Sequence, residues 1–176
     1  TLVCSPDNLG FAGANNRGIE AATGDYVLLL NSDTVLEDDS LTRCVEWMND
    51  NPKVGAVSPS LVGIDDQPQQ CYHAFPSIKK RLVQFFSRRP WKPSRKPGEG
   101  WLAGTALMMR RAALEDIGGL LDDKYWRYWE DADTSAKFLE HGWEVAEYQD
   151  ACIRHYGGAS GGGPDAARRA GNLRRD

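Results

Sequence analysis

Tyr26-Val27-Leu28-Leu29-Leu30-Asn31-Ser32-Asp33 is the stretch on which the fold class turns. Its first five residues are apolar without a break, which suits a strand covered on both faces rather than one with a wet side. Three polar residues end the run, so a loop begins at the strand's carboxyl end. On the N-terminal side the pattern predicts a helix over 12–23, with Ala14, Ile19, Ala21 and Ala22 turned inward and Gly24 as its stop. On the other side Ser40 is a candidate cap for a second helix, whose Leu41, Cys44, Val45 and Met48 recur at i, i+3, i+4 and i+7 until Asn51-Pro52 ends it. A strand over 53–57 follows. This alternation of helix and strand predicts an α/β domain built on a mostly parallel sheet.

The outer segments extend the pattern. Leu2-Val3-Cys4-Ser5 reads as a strand end that turns at Pro6-Asp7-Asn8. The chain opens at Thr1 with no strand-helix unit ahead of this one, and we expect a catalytic domain that lacks its first such unit. Downstream, 101–109 reads as a strand leading into a short helix that ends at Gly118-Gly119, 131–141 as a helix stopped by Gly142, and 143–148 as a strand. Residues 157–163 form a Gly-rich loop, and 164–176, with four arginines, a frayed tail. Residues 1–176 are expected to form one domain, enough to bury a single core.

One stretch breaks the pattern. Residues 67–98 contain no acidic side chain but hold Lys79, Lys80, Arg81, Arg88, Arg89, Lys92, Arg95 and Lys96, interleaved with Phe85, Phe86 and Trp91 and broken by prolines. Two readings stand: a solvated insertion, or peripheral contact of 79–96 with an anionic membrane surface or a lipid phosphate. The chain as a whole carries a formal charge of -4, which argues against holding nucleic acid by bulk charge. Cys4, Cys44, Cys71 and Cys152 form no C-x-x-C pair and are read as idle thiols of a reducing compartment. No apolar run approaches the roughly 18 residues that span a bilayer. The expected address is therefore the cytoplasm, with the inner face of the membrane as an extension of it.

Three constellations could carry chemistry. Asn31-Ser32-Asp33 emerges at the carboxyl end of a strand, where open α/β sheets place their ligands. A carboxylate there suits Mg²⁺ or Mn²⁺, which typically complete their shell with phosphate oxygens and water. An Asn-Ser-Asp turn is also ordinary loop chemistry. Tyr128-Trp129-Glu130-Asp131-Ala132-Asp133 opens a helix with three carboxylates and two aromatics. Helix-dipole stabilisation accounts for one or two of the acids, whereas aromatic faces beside carboxylates suit a sugar site. His155 follows the short apolar stretch 151–153 and is either a structural histidine or a ligand that converges with Asp33 on a divalent ion.

Taken in order, Asn8-Leu9-Gly10-Phe11-Ala12-Gly13-Ala14-Asn15-Asn16-Arg17-Gly18, Leu28-Leu29-Leu30-Asn31-Ser32-Asp33, Trp101-Leu102-Ala103-Gly104, Trp129-Glu130-Asp131-Ala132-Asp133 and His155 resemble the family 2 glycosyltransferases, and within them the bacterial rhamnosyltransferase-type enzymes. The resemblance implies a GT-A, Rossmann-like fold. It implies inverting transfer of a sugar from a nucleotide-sugar donor to a hydroxyl of a saccharide or polyprenyl-linked acceptor, assisted by Mn²⁺ or Mg²⁺, in cell-surface polysaccharide synthesis. It places Asp33 and His155 on the metal, and Asn31 at a position where the family often has Asp. Asp131 becomes the general base and Glu130 its orienting partner. Asn8, Gly10 and Asn15 fall beneath the donor, and Trp101, Gly104 and Trp129 at the donor or acceptor sugar. A chain without its first strand and nucleotide-binding loop is expected to be inactive alone. The alternatives are a non-catalytic carbohydrate- or nucleotide-binding module of the same fold, and a nucleotidyltransferase, which would want a Gly-rich basic phosphate loop near its start.

Overall fold

Cover on both faces is what the apolar run Tyr26–Leu30 (β1) demands, and it receives it from two separate cores. The computed structural model describes residues 1–75, 98–126 and 128–157. In it Val27 and Leu29 point into a cluster with Ala12 and Ile19 of helix α1 (Gly10–Ala21) and with Phe138 of helix α4 (Glu130–Glu140). Tyr26 and Leu28 pack on the opposite face against Cys44 and Met48 of helix α2 (Ser40–Asp50). Successive side chains of a strand face opposite ways, so Tyr26 to Leu29 feed both layers, while Leu30 at the strand's end is exposed.

The main sheet also contains β2 (Thr34–Val35), β3 (Val54–Val62), β4 (Pro68–Gln69), β7 (Ala106–Arg110) and β8 (Glu144–His155). Its order is β1-β7-β3-β8-β2, with β4 beside β3. A second sheet pairs β5 (Tyr72–Ala74) with β6 (Gly100–Leu102), and a short helix α3 (Arg111–Asp116) follows β7. The architecture is α/β with a central sheet flanked by helices, but the strand directions correct the expectation of a mostly parallel sheet. Among the described pairings only β3 with β8 is parallel, because β7 inserts antiparallel to both β1 and β3, and β2 and β4 are antiparallel edge pairs. Continuous apolarity reports cover on both faces, not strand direction.

Other boundaries differ for local reasons. Helix α1 starts two residues early, where the Asn8 Oδ1 accepts the Gly10 N–H at 3.0 Å, and buries Ala12, Asn16 and Ile19 while Ala14 and Ala21 stay exposed. Leu2–Ser5 is exposed coil, not the expected strand end. Ser40 does not cap α2; its hydroxyl donates to the Cys152 carbonyl at 2.8 Å and accepts the Cys152 N–H at 3.0 Å, tying the helix to β8. The stretch expected as one strand over 101–109 is split by Ala103-Gly104-Thr105 into β6 and β7, which belong to different sheets. Strand β3 runs on through Pro59, and directly beyond it β8 carries three extra residues between Tyr148 and Cys152, as suits a proline with no N–H for the ladder. The basic segment 79–96 and the tail 164–176 lie outside the described residues, whereas 68–69 and 72–74, at the start of the 67–98 stretch, are strands.

The sheet must also curl. Leu30 ends β1 at one end of the strand order and Thr34 opens β2 at the other, and four Cα steps reach at most about 14 Å. Five flat strands would put those ends roughly 19 Å apart. Asn31, Ser32 and Asp33 are the three residues that make the crossing, at the carboxyl end of β1.

Candidate active site

Asp33 is 4% exposed, held by backbone bonds on both sides: the Tyr156 N–H donates to its carbonyl at 2.9 Å, and Thr34 pairs with His155 in the β2/β8 ladder. That register brings the His155 Nε2 to 3.4 Å from the Asp33 Oδ1. The Asp33 Oδ1 is fully buried and has no hydrogen-bond partner among the described residues. A buried carboxylate oxygen left so costs on the order of 1–3 kcal/mol or more, and a carboxylate with an imidazole is a donor set for Mg²⁺ or Mn²⁺. No group of three or more His, Cys, Asp or Glu gathers among the described residues. Two protein ligands therefore leave most of a six-coordinate shell to phosphate oxygens and water. The residues present fit such an ion.

The His155 ring is fixed from behind. Its Nδ1 lies 2.7 Å from the Gln69 Oε1, and the Gln69 Nε2 donates to the His155 carbonyl at 3.0 Å. Gln69 went unnoticed in the sequence, where it sits among three other polar or proline residues with no periodicity to mark it.

A cleft of about 670 Å³ forms beside this corner, lined by Asn8, Gly10, Asn15, Asn31, Trp101, Gly104, Glu130 and Asp131 among others. Eight of the expected site residues thus share one surface, while Asp33, His155 and Trp129 are not among its lining. A cavity of similar size, about 660 Å³, between the first nine residues and α1 contains none of the expected site residues. The floor of the cleft follows from the split between β6 and β7. The Asn31 N–H donates to the Thr105 carbonyl at 2.9 Å, and the Gly104 N–H donates to the Asp131 Oδ2 at 3.0 Å. Asp131 Oδ1 accepts the Ala132 N–H at 2.8 Å. Two backbone donors orient the carboxylate, and each of its oxygens keeps a further lone pair for a proton. Gly104 is buried against Phe11, so a side chain there would press on that ring at 3.1 Å.

The rim is aromatic. Trp126, Tyr128 and Trp129 are all more than half exposed, and Tyr128 and Trp129 both take left-handed backbone angles, φ 69° and 77°. Each such non-glycine residue costs roughly 1–2 kcal/mol, strain of the kind that collects at binding sites. The loop is anchored at two points. The Phe11 N–H donates to the Trp126 carbonyl at 3.2 Å, beside Gly10 at φ 70°, where a Cβ would stand 2.7 Å from the same oxygen. The buried Asn16 amide donates to the Leu121 carbonyl and accepts the Leu121 N–H, both at 2.9 Å. Gly10 and Asn16 thus shape the cleft through the loop.

His73 is a residue the sequence reading missed. Its ring stacks on Trp101 with centroids 4.5 Å apart, and Trp101 in turn lies 6.3 Å from Trp129. Burial pushes the His73 imidazole below its ordinary pKa, and the Asp131 carboxylate pulls it partly back.

The model of the family "Glycosyl transferase family 2" matches residues 1–118, about two thirds of the chain. The chain belongs to glycosyl transferase family 2. This family 2 chain is 28% identical over 188 aligned residues to the N-acetylglucosaminyl-diphospho-decaprenol L-rhamnosyltransferase of Mycobacterium tuberculosis, an alignment covering 93% of this chain and 61% of that protein. It is 26% identical over 162 residues to the UDP-forming cellulose synthase 1 catalytic subunit of Komagataeibacter xylinus, covering 82% of this chain and 19% of that one. The family 2 chain thus spans less than two thirds of the length of these relatives. In three dimensions it resembles the mannosyltransferase PcManGT from Pyrobaculum calidifontis, solved in complex with GDP-Man and Mn²⁺, with a TM-score of 0.62 at 22% identity, over 97% of this chain and 43% of that one. The fold of this family 2 chain is accordingly GT-A. No helix among its described residues is long and apolar enough to cross a membrane.

Proposed function

We propose that this family 2 chain performs inverting transfer of a sugar from a nucleotide-sugar donor to a hydroxyl of a saccharide or polyprenyl-linked acceptor, in cell-surface polysaccharide synthesis. The observation that carries the proposal is the buried Asp33 Oδ1 facing the His155 Nε2 beside a cleft that contains Asp131. The mycobacterial relative, whose name specifies rhamnose transfer to a lipid-linked N-acetylglucosamine, supports rhamnose as donor sugar and a polyprenyl diphosphate sugar as acceptor. The mannosyltransferase crystallised with GDP-Man and Mn²⁺ supports a divalent ion with a nucleotide diphosphate.

Asp33 and His155 would hold the metal. Once bound, the ion neutralises the charge that builds on the leaving diphosphate. The remaining work falls to the cleft. Asp131 accepts the proton of the attacking hydroxyl as that oxygen bonds to the anomeric carbon, and one displacement inverts the configuration. Glu130, 4% exposed and also lining the cleft, orients the acceptor or the base. Trp101 and Trp129 offer flat apolar faces to sugar rings. Asn31, rather than a second carboxylate, meets the donor near the metal, so the corner carries one negative charge less than an Asp-x-Asp pair would.

The test is product mass analysis of the natural full-length protein with a panel of nucleotide sugars and a polyprenyl diphosphate sugar acceptor, with and without chelator. Transfer that requires Mn²⁺ or Mg²⁺ and is lost in Asp33→Asn and His155→Ala is expected. Sugar binding indifferent to chelator and nucleotide, without product, would instead identify a non-catalytic module of the same fold.

A further inference from the structure

The geometry points to Gln69 as a positioning residue that sets the tautomer of His155 and, through it, the metal affinity of the corner. The amide orientation follows from its two contacts. The atom 3.0 Å from the His155 carbonyl has to be the donor Nε2, because two carbonyl-type oxygens do not share a hydrogen bond. The Oε1 therefore faces the His155 Nδ1 at 2.7 Å, and since that oxygen only accepts, the proton sits on Nδ1. In a neutral ring the Nε2 then bears a lone pair, 3.4 Å from the Asp33 Oδ1. Two lone pairs in that relation repel unless a cation lies between them, which is the arrangement a metal site needs before the metal arrives.

Gln69 is well placed to enforce this. It sits in the two-residue strand β4, opposite Leu61 of β3, and it grips the ring and the backbone of the same residue. Gly63, buried next to it, leaves the room: a Cβ there would come within 3.1 Å of the Gln69 Nε2. Ligating histidines typically donate their other ring N–H to such a partner, and loss of that partner costs about 10- to 100-fold in metal affinity.

This inference rests on the proposed metal role of Asp33 and His155, and the experiment separates the two. Nitrogen-15 imidazole spectra of the metal-free chain at pH 8, with the His155 signals assigned by their loss in His155→Ala, read the tautomer directly. Mn²⁺ titration reads the affinity. In the wild type the Nδ1 should be protonated. Gln69→Leu should lose that preference and weaken Mn²⁺ binding at least tenfold, while Gln69→Glu, which still accepts from Nδ1–H, should keep the tautomer and bind Mn²⁺ as tightly or more so. A bare Nδ1 in the wild type, an unchanged His155 spectrum in Gln69→Leu, or loss of the Nδ1–H tautomer in Gln69→Glu overturns the inference. If the Leu variant does not fold, the wild-type and Glu spectra still decide it. Mn²⁺ binding unaffected by His155→Ala overturns the metal reading instead, and the metal-free spectra judge Gln69 regardless.

Discussion

The corner of Asp33 and His155, where we propose the metal, and the aromatic cleft are built in opposite ways. A strand ladder fixes Asp33 and His155, Asp33 is buried, and Gln69 holds the His155 ring from behind, with one Asp33 carboxylate oxygen left without a hydrogen-bond partner among the described residues. Asp131 sits instead at the start of α4, both its oxygens engaged by backbone N–H groups, under a rim of exposed aromatics whose backbone is strained. The corner is rigid and polar; the cleft is open and aromatic. A small ion of fixed size rewards rigidity, whereas a sugar acceptor needs a surface that is flat, apolar and open to solvent.

The strongest way to break this division is Asp131→Asn. The amide keeps the size of the side chain but cannot take a proton, so transfer should fall by about 10²- to 10⁴-fold, while Mn²⁺ affinity stays within twofold of the wild type. A comparable fall in Mn²⁺ affinity would mean that corner and cleft are one unit. Next is Asn16→Ala, which strips two partners from the Leu121 backbone and should cost about 1–3 kcal/mol in urea unfolding. Because Asn16 acts on the loop, nucleotide-sugar turnover should suffer through KM more than through Mn²⁺ affinity.

Gly10→Ala should destabilise by about 1–2 kcal/mol, since φ 70° is unfavourable for a residue with a Cβ. Its Cβ would also push on the Trp126 carbonyl, so the tryptophan fluorescence should shift while the His155 imidazole signals stay where they are. The smallest effect is a change of pH dependence. The His73 pKa is lowered in the folded state, so as pH falls below about 6.5 the unfolded chain takes up a proton that the folded chain resists, and stability drops. In His73→Phe, which keeps an aromatic ring against Trp101, that acid-side slope should be shallower; equal slopes in both proteins would remove His73 as its source.

The two regions were not equally legible. Asp131 could be placed at a helix start from a dozen local residues, because capping, dipole and periodicity act within one or two turns. Asp33 was legible for a similar reason, as the end of an apolar run. Its approach to His155 was an expectation of convergence at strand ends; the register that sets Thr34 opposite His155 turned it into a contact. His73 and Gln69 had no local signature at all, since each matters only for what lies across a strand from it.

What the sequence determined by itself was the α/β class, the buried stripe of α2, the cover on both faces of β1 and the positions of Asp33 and Asp131. Those features depend on side chains a few residues apart, and elementary periodicity reads them. Only the tertiary structure decided the strand directions, the curl that 31–33 bridges, the grip of Gln69 on His155 and the stack of His73 on Trp101. These are pairings between distant segments, and ladder register together with the volume left by Gly63 and Gly104 selects among them.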